Sequence, residues 1–328
     1  MRKVWNSIIE NRFLFLLVLT VILFLIFSFT VKGFSTLYNL TNMTQYAVEL
    51  GLLGLAETFV IISGGGGIDL SVGSMMSLSA MLIGVLIGKL GWNLFVGVLV
   101  TLFAGIIMGL VNGALVTYVR IPAFLVTIAT LFIYRSMALI VAIDPKYGPN
   151  PMPISSFKES FYFIGQYKIF DYIPFQVVAI FIPVLIITHL ILSKTAFGRR
   201  LYGVGINEKA ALFSGIDPKM VRLFAYSISG LLSSIAGWII TSRIASARPD
   251  VGSEFLLQAI TIAVLGGVSI SGGEGTVLGV LGSVIVVTIL YNGLELAGIN
   301  PIWQLGALGV ILIGSVFLNK ILLERRRL

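Results

Sequence analysis

Apolar runs long enough to cross a bilayer recur along this chain from Phe13 to Leu318, and no other feature restricts its fold so strongly. About 20 apolar residues in a helix match the hydrocarbon thickness of a membrane. In lipid every backbone N–H and C=O must be satisfied within the protein, which leaves helices and closed barrels. A barrel would read as segments of about ten residues with alternating polarity. The runs here are continuous, so the expected fold is an all-α polytopic membrane protein. Composition agrees: only 11% of residues are charged, whereas a water-facing domain of this size needs about a quarter.

Ten spans are expected, at roughly 13–31, 46–63, 72–90, 93–118, 122–143, 173–193, 221–242, 255–270, 276–298 and 301–319. Arg2, Lys3 and Arg12 precede the first run as in a signal peptide. That run is too long for a signal core and no A-x-A site follows, so an uncleaved first helix is expected. Ten spans put both termini on one face. Of the 22 Lys and Arg, seven then fall outside (Lys32, Lys89, Lys146, Lys158, Lys168, Arg243 and Arg248) and Arg135 lies within a span. The other fourteen (22 − 7 − 1) are inside, which orients both termini to the cytoplasm. The whole of 1–328 reads as one transmembrane domain, with a periplasmic loop at about 144–172 and a cytoplasmic loop at about 194–220. The outer loop, rich in Pro and aromatics, suits an interfacial cap. Five spans on each side of it are compatible with two halves of inverted topology.

The formal net charge of +8 is not a nucleic-acid signature, because the basic residues sit at span ends where they meet lipid headgroups. Cysteine is absent, and His189 is the only histidine. Neither a metal site nor a histidine-based triad is therefore expected.

Glycine carries more information. Gly105, Gly109 and Gly113 repeat every four residues on the fourth span, a stripe that lets two helix backbones touch. Two denser clusters interrupt the spans. One is Gly64-Gly65-Gly66-Gly67-Ile68-Asp69-Leu70-Ser71 and the other runs from Gly266 through Ser269, Ser271, Gly272 and Gly273 to Thr276. Four successive glycines do not hold a helix, and broken backbone at membrane depth survives only in protein or beside water. Broken or re-entrant segments are expected here, with simple surface turns as the alternative. Asp69 and Ser71 are candidates to cap the helix that follows. Neither cluster has phosphate-loop spacing, so the chain itself is not expected to bind ATP.

Glu49, Glu57, Asp69, Arg135 and Glu295 fall in or beside spans. Glu57 and Arg135 are the deepest intramembrane charges, fitting either a solute path or an internal salt bridge. Glu49 reads as interfacial.

Several segments carry a resemblance. Ile68-Asp69-Leu70-Ser71-Val72-Gly73-Ser74 resembles the GGIDLSVGS signature of ribose-type sugar permeases of ABC importers. Asn112-Gly113-Ala114-Leu115 with Ile121-Pro122-Ala123-Phe124 resembles its NGxL and IPxF blocks. Thr195-Ala196-Phe197-Gly198-Arg199-Arg200, then Asn207-Glu208-Lys209-Ala210-Ala211 and Ser214-Gly215-Ile216, resemble its inner loop. Gly266-Gly267-Val268-Ser269 with Gly272-Gly273-Glu274-Gly275-Thr276 resembles its late block. The matches run in order from about Ile61 to Gly293. The chain departs in having four glycines before Ile68 where two are usual, Ile-Pro-Ala for Ile-Pro-Pro, and Leu256-Leu257-Gln258-Ala259-Ile260 for ELDAI. These departures bear on the solute more than the class, and the late block leans toward the rhamnose and autoinducer-2 branches.

The resemblance implies a second permease, identical or paralogous, a cytoplasmic ABC ATPase holding ATP and magnesium, and a periplasmic solute-binding protein. The chain itself would carry no cofactor and no enzymatic activity, and would sit in the bacterial cytoplasmic membrane. Asn207, Glu208, Ala210, Ala211, Ser214 and Gly215 become the ATPase-coupling candidates. The residues suit it: Asn207 can cap a short helix that Gly215 and Pro218 end. Gly66, Gly67, Asp69, Ser71, Asn112, Phe124, Ser269, Ser271, Gly272 and Gly273 become path or gate candidates. An ion- or proton-coupled secondary transporter working through Glu57 and Asp69 is the competing expectation.

Overall fold

Residues 12–144 and 148–326 are described in the computed structural model, with side chains from Leu14 to Ile143 and from Asn150 to Gly314. Arg2, Lys3 and Lys146, used above, lie outside the described residues, as does the side chain of Arg12. Helices α1 (Arg12–Thr30) to α5 (Ala123–Val141) comprise α2 (Leu37–Ile62), α3 (Val72–Ile83) and α4 (Leu94–Thr117) between them. A π-helical stretch, Gly84–Lys89, prolongs α3. A connecting segment follows with the hairpin β1 (Ile143–Asp144) and β2 (Gly148–Pro151), helix α6 (Glu159–Gln166), and the hairpin β3 (Lys168–Ile169) and β4 (Ile173–Pro174). After a π-helical stretch at Val177–Phe181 come α7 (Ile182–Lys194), α8 (Ala196–Ile206), α9 (Glu208–Phe213) and α10 (Pro218–Ile244). The chain finishes with α11 (Phe255–Leu265), α12 (Val277–Leu296) and α13 (Pro301–Arg326).

Each expected span falls on a helix. Among the described residues seven are long and apolar enough to cross a membrane: Leu37–Ile62, Val72–Lys89, Leu94–Thr117, Ala123–Val141, Val177–Lys194, Pro218–Ile244 and Val277–Leu296. Phe255–Leu265 is a shorter apolar helix, and the parts of α1 and α13 with described side chains, Leu14–Thr30 and Pro301–Gly314, are apolar too. The protein is thus nearly all-helical, and the two small hairpins are the departure from the all-α expectation.

Helix boundaries follow local chemistry. Thr36 accepts from Asn39 N and starts α2 nine residues earlier than hydropathy alone places the span. The polar first turns of α2 are paid for by side-chain bonds such as Asn39 Nδ2 to the Phe34 carbonyl at 2.8 Å and to Asn292 Oδ1 at 2.8 Å. Asp217 accepts from Lys219 N, and Pro218 occupies the first turn of α10, where its missing N–H costs nothing.

Helix α2 is the axis of the bundle and is buried without a break from Val48 to Ile62. Helix α10 packs on α2, α3 and α4. Its crossing with α4 is made of backbone: a Cβ at Gly109 would strike the Tyr226 carbonyl oxygen, and one at Gly230 would strike the Gly105 carbonyl oxygen. The glycine stripe is therefore a helix–helix contact, as its spacing indicates.

The connecting segment between α5 and α7 is pinned to the bundle. Gly165 N donates to Ser242 Oγ at 2.9 Å, Ser242 Oγ donates to the Phe161 carbonyl at 2.7 Å, and Gln45 Nε2 donates to the Gly165 carbonyl at 3.0 Å. Beside it Arg243 Nε meets Glu49 Oε1 at 2.7 Å. Glu49 is fully buried, so its reading as an interfacial residue is corrected. A basic residue far along the chain neutralises it, a partner that no local pattern announces.

Candidate functional site

The break after α2 is built by glycine and closed by a buried acid. Gly64, Gly65 and Gly66 take φ of +72, +67 and +71°, a left-handed backbone that side chains rarely adopt. The chain then turns inward and buries Asp69 completely. Asp69 Oδ1 accepts from Ser71 N at 3.0 Å, from Ser71 Oγ at 2.6 Å and from Asn112 Nδ2 at 3.4 Å. Its Oδ2 accepts from Ser229 Oγ at 3.0 Å. Asn112 Nδ2 also donates to Ser71 Oγ at 2.7 Å. Tyr134 OH donates to the Met108 carbonyl at 3.0 Å and lies 3.4 Å from Asn112 Oδ1. Glu57 Oε2 accepts from Asp69 N at 3.3 Å. The Asp69 carboxylate thus ties the start of α3 to α4 and α10, and the Glu57 carboxylate ties it to α2.

Two sequence expectations change here. Ser71 sits at the start of α3 but makes no side-chain cap, because its hydroxyl is turned onto Asp69. Glu57 and Arg135 do not form an internal salt bridge. Glu57 is buried among the polar groups around Asp69, and its Oε1 has no partner among the described residues, as is also true of Tyr226 OH. Arg135 is exposed on α5, and among the described residues no carboxylate lies at ion-pair distance from it.

The second glycine cluster comes back to the first. Gly273 N donates to the Ile62 carbonyl at 2.9 Å, and a Cβ on Gly272 would lie 2.5 Å from Gly64 Cα. Helix α8 completes the joint: a Cβ at Gly205 would strike the Ile62 carbonyl, and Tyr202 OH donates to the Gly275 carbonyl at 2.8 Å. Both breaks and α8 therefore meet backbone to backbone at one end of the bundle. Gly66 and Ser271 are exposed there, whereas Gly67, Ser269, Gly272 and Gly273 are buried; Phe124 is exposed at the start of α5. Asp69, Ser71 and Asn112 are brought together, while Phe124 stays apart from them.

Next to this joint lies the short helix α9. Asn207 Oδ1 accepts from Ala210 N at 3.0 Å, and Gly215 closes the turn with φ +78°, as the residue types indicate. Ala211 is buried; Ala210, Ser214 and Gly215 are exposed. Glu208 Oε2 meets Arg222 Nη2 at 2.7 Å, and Arg222 Nε donates to the Ser63 carbonyl at 3.2 Å. The sequence counts Arg222 only as a topological charge. Its place, one turn into α10 and beside an acid-bearing loop, is the signal that could have singled it out. Ser229 and Tyr134 carry no local sequence signal at all.

A third feature opens on the side of the bundle. A shallow cleft lies between α3, α5 and the start of α11, lined by Leu70, Gly73, Ser74, Ser77, Leu131, Arg135, Gly252, Ser253 and Leu256. At its rim Arg248 grips Asp250 with two bonds, Nε to Oδ1 at 3.1 Å and Nη2 to Oδ2 at 2.8 Å. Those bonds hold the Asp250 carboxyl below the usual carboxylate range.

Residues 39–316 match the family described as the branched-chain amino acid transport system permease component. The chain belongs to this family. It is 36% identical to the ribose import permease of Bacillus subtilis (strain 168) over 299 residues, covering 91% of this chain and 90% of that one. Against the xylose transport system permease of Escherichia coli (strain K12) it is 29% identical over 363 residues, covering 94% and 92%. Against the fructose import permease of Rhizobium meliloti the figure is 30% over 295 residues, covering 88% and 79%. No solved structure matches the chain. The protein is a multi-pass membrane permease of the ribose-type family, a transport component rather than an enzyme.

Proposed function

We propose that this chain is the membrane-spanning subunit of an ATP-binding-cassette importer for a monosaccharide or a similar polyol. Two permeases, identical or paralogous, enclose the path. A periplasmic protein delivers the solute, and separate cytoplasmic ATPase subunits, holding ATP and magnesium, drive it. All ten apolar helices cross the bilayer, with both termini in the cytoplasm. Helices α8 and α9 then face the cytoplasm, and α6 faces the periplasm.

The observation that carries this reading is the surface of α9 and its approach. Ile206, at the end of α8, and Leu212 and Phe213, on the short capped helix α9, stand 72, 58 and 89% exposed. Large apolar side chains presented together on a polar loop mark a protein contact. Here that loop is fused by backbone contacts to both glycine breaks, so whatever binds α9 can move them. A moving partner that hydrolyses ATP is what a permease without a nucleotide site requires. The relatives named for ribose, xylose and fructose import support a sugar as cargo.

The test is uptake in proteoliposomes holding the chain with the ATPase and binding protein expressed beside it. Labelled ribose, xylose and fructose should enter only with hydrolysable ATP, and entry should survive collapse of the proton gradient. Entry that ignores ATP and stops with the gradient would overturn the reading in favour of an ion-coupled carrier. A cysteine at Phe213 should cross-link to the ATPase subunit, and one at Ser156 should not.

A further inference from the structure

Arg135 is the 13th residue of a 19-residue spanning helix, Ala123–Val141, so it lies roughly 18 Å from the start of that helix. Its side chain is exposed, and the nearby acid, Asp250, is held by Arg248. A guanidinium at this depth does not face lipid tails at rest; such residues face a water-filled cavity or a partner. The cleft between α3, α5 and α11 provides that cavity.

Its walls have complementary chemistry. Ser74 Oγ gives its proton to the Ser71 carbonyl at 2.8 Å and so presents lone pairs. Ser77 Oγ accepts from Gly252 N at 3.0 Å and so keeps its proton to donate. Arg135 adds a planar fork of N–H donors. Leu70, Leu131 and Leu256 form the apolar remainder. The segment before α11 lies flat on α3, since a Cβ on Gly73 or on Gly252 would strike the other's carbonyl oxygen. That backbone contact forms the firm floor of the cleft. Donors and acceptors along one edge and carbon along the other match a sugar ring, with hydroxyls on its rim and C–H groups on its face.

We propose that this cleft is a solute subsite on the translocation path, holding a neutral sugar through Arg135, Ser74 and Ser77. The proposal rests on the importer reading above and deepens it. The α3–α5–α11 face looks onto the aqueous path, and the buried group around Asp69 stands behind it as support. Ser71 joins the two, its carbonyl holding Ser74 and its hydroxyl holding Asp69.

The chain contains no cysteine, so labelling followed on this subunit alone reports single introduced cysteines without background. In the assembled importer, Ser253→Cys at the cleft rim and Arg135→Cys should react with a charged, membrane-impermeant thiol reagent. Ile187→Cys, on the exposed face of α7, should not. Saturating transported sugar, drawn from ribose, xylose and fructose, should slow the Ser253→Cys reaction at least about threefold during ATP-driven turnover. Uptake per assembled complex should fall at least about tenfold in Arg135→Met, the loss expected for a hydrogen bond to a charged donor. Arg135→Lys should recover part of it. If cysteines at 253 and 135 react no faster than the one at 187, or Arg135→Met transports like the wild type, the subsite does not exist. Wild-type uptake that needs no ATP would instead overturn the importer reading, while the cysteine rates would still decide whether the cleft faces water.

Discussion

Replacing Gly109 by alanine adds one methyl group where the structure has no room for it. The new Cβ would strike the Tyr226 carbonyl oxygen and lie 2.8 Å from its carbon and 3.0 Å from Ser227 Cα. All three are backbone atoms, so no rotamer change relieves the clash. Carbon atoms pack at about 3.5–4.0 Å, so α4 and α10 must part by roughly 1 Å. Overpacking of this kind costs about 1–3 kcal/mol. Asp69 bridges the two helices through Asn112 and Ser229, so the same displacement stretches one of those bonds beyond hydrogen-bond range, leaving buried groups unsatisfied at a cost of about 1–3 kcal/mol. The expected loss is therefore about 2–6 kcal/mol, read as a drop in the melting midpoint of the detergent-purified protein on the order of 5–15 °C. Gly306→Ala is the control: this glycine lies within α13, and its Cβ would meet nothing within 4 Å. Alanine there should be neutral or stabilise by about 0.5–1 kcal/mol through helix propensity. If Gly109→Ala melts with Gly306→Ala, the backbone contact between α4 and α10 is not what holds the bundle.

Arg243→Met strands the buried carboxylate of Glu49 and should cost about 3–5 kcal/mol, with most of the loss recovered in the Glu49→Gln/Arg243→Met double variant; thermal melting of the three proteins checks it. The Arg222–Glu208 pair is half-exposed on the Glu208 side, so Glu208→Arg should change stability by no more than about 1 kcal/mol. It should nonetheless lower the sugar moved per ATP hydrolysed, and the swapped pair Glu208→Arg/Arg222→Glu should restore that ratio. Asp69→Ala removes the acceptor of four hydrogen bonds and should abolish uptake with reduced yield of folded protein. Asp69→Asn, which keeps one acceptor oxygen, should be milder by about 1–3 kcal/mol in melting.

What the sequence made legible is what depends on neighbours in the chain. Hydropathy located the spans because burial in lipid is a run-length property. The four-residue repeat of Gly105, Gly109 and Gly113 announced a close helix crossing because 3.6 residues make a turn. Asn207 and Gly215 announced the start and stop of α9, since caps are local hydrogen-bond chemistry. Pairings across the fold were not legible. Glu49 and Arg243 are 194 positions apart, and nothing near either residue encodes the other. Ser71 has the composition of a cap, yet a buried carboxylate two residues earlier outcompetes the helix N-terminus for its hydroxyl. Helix α8 stayed hidden because Thr195 caps it directly after α7, leaving no polar gap to mark a new element.

The glycine clusters also carry a consequence for coupling that neither cluster shows alone. Side chains can yield by changing rotamer, but backbone held against backbone transmits a displacement at full amplitude. At the joint, the Ile62 carbonyl receives Gly273 N and lies against Gly205, while Gly64 lies against both Gly205 and Gly272. A shift of α8 and α9 therefore moves the end of α2 and the start of α12 together. Arg222 adds a polar tie from α9 to the Ser63 carbonyl. Beyond Gly66 the chain next meets firm anchorage at Asp69, whose bonds reach α4 and α10 as well as α2. Gly66, with its left-handed backbone, is the less confined piece between, since a Cβ there would meet nothing within 4 Å. The loop bearing α9 can thus tilt the break while the buried carboxylate holds α3 in place.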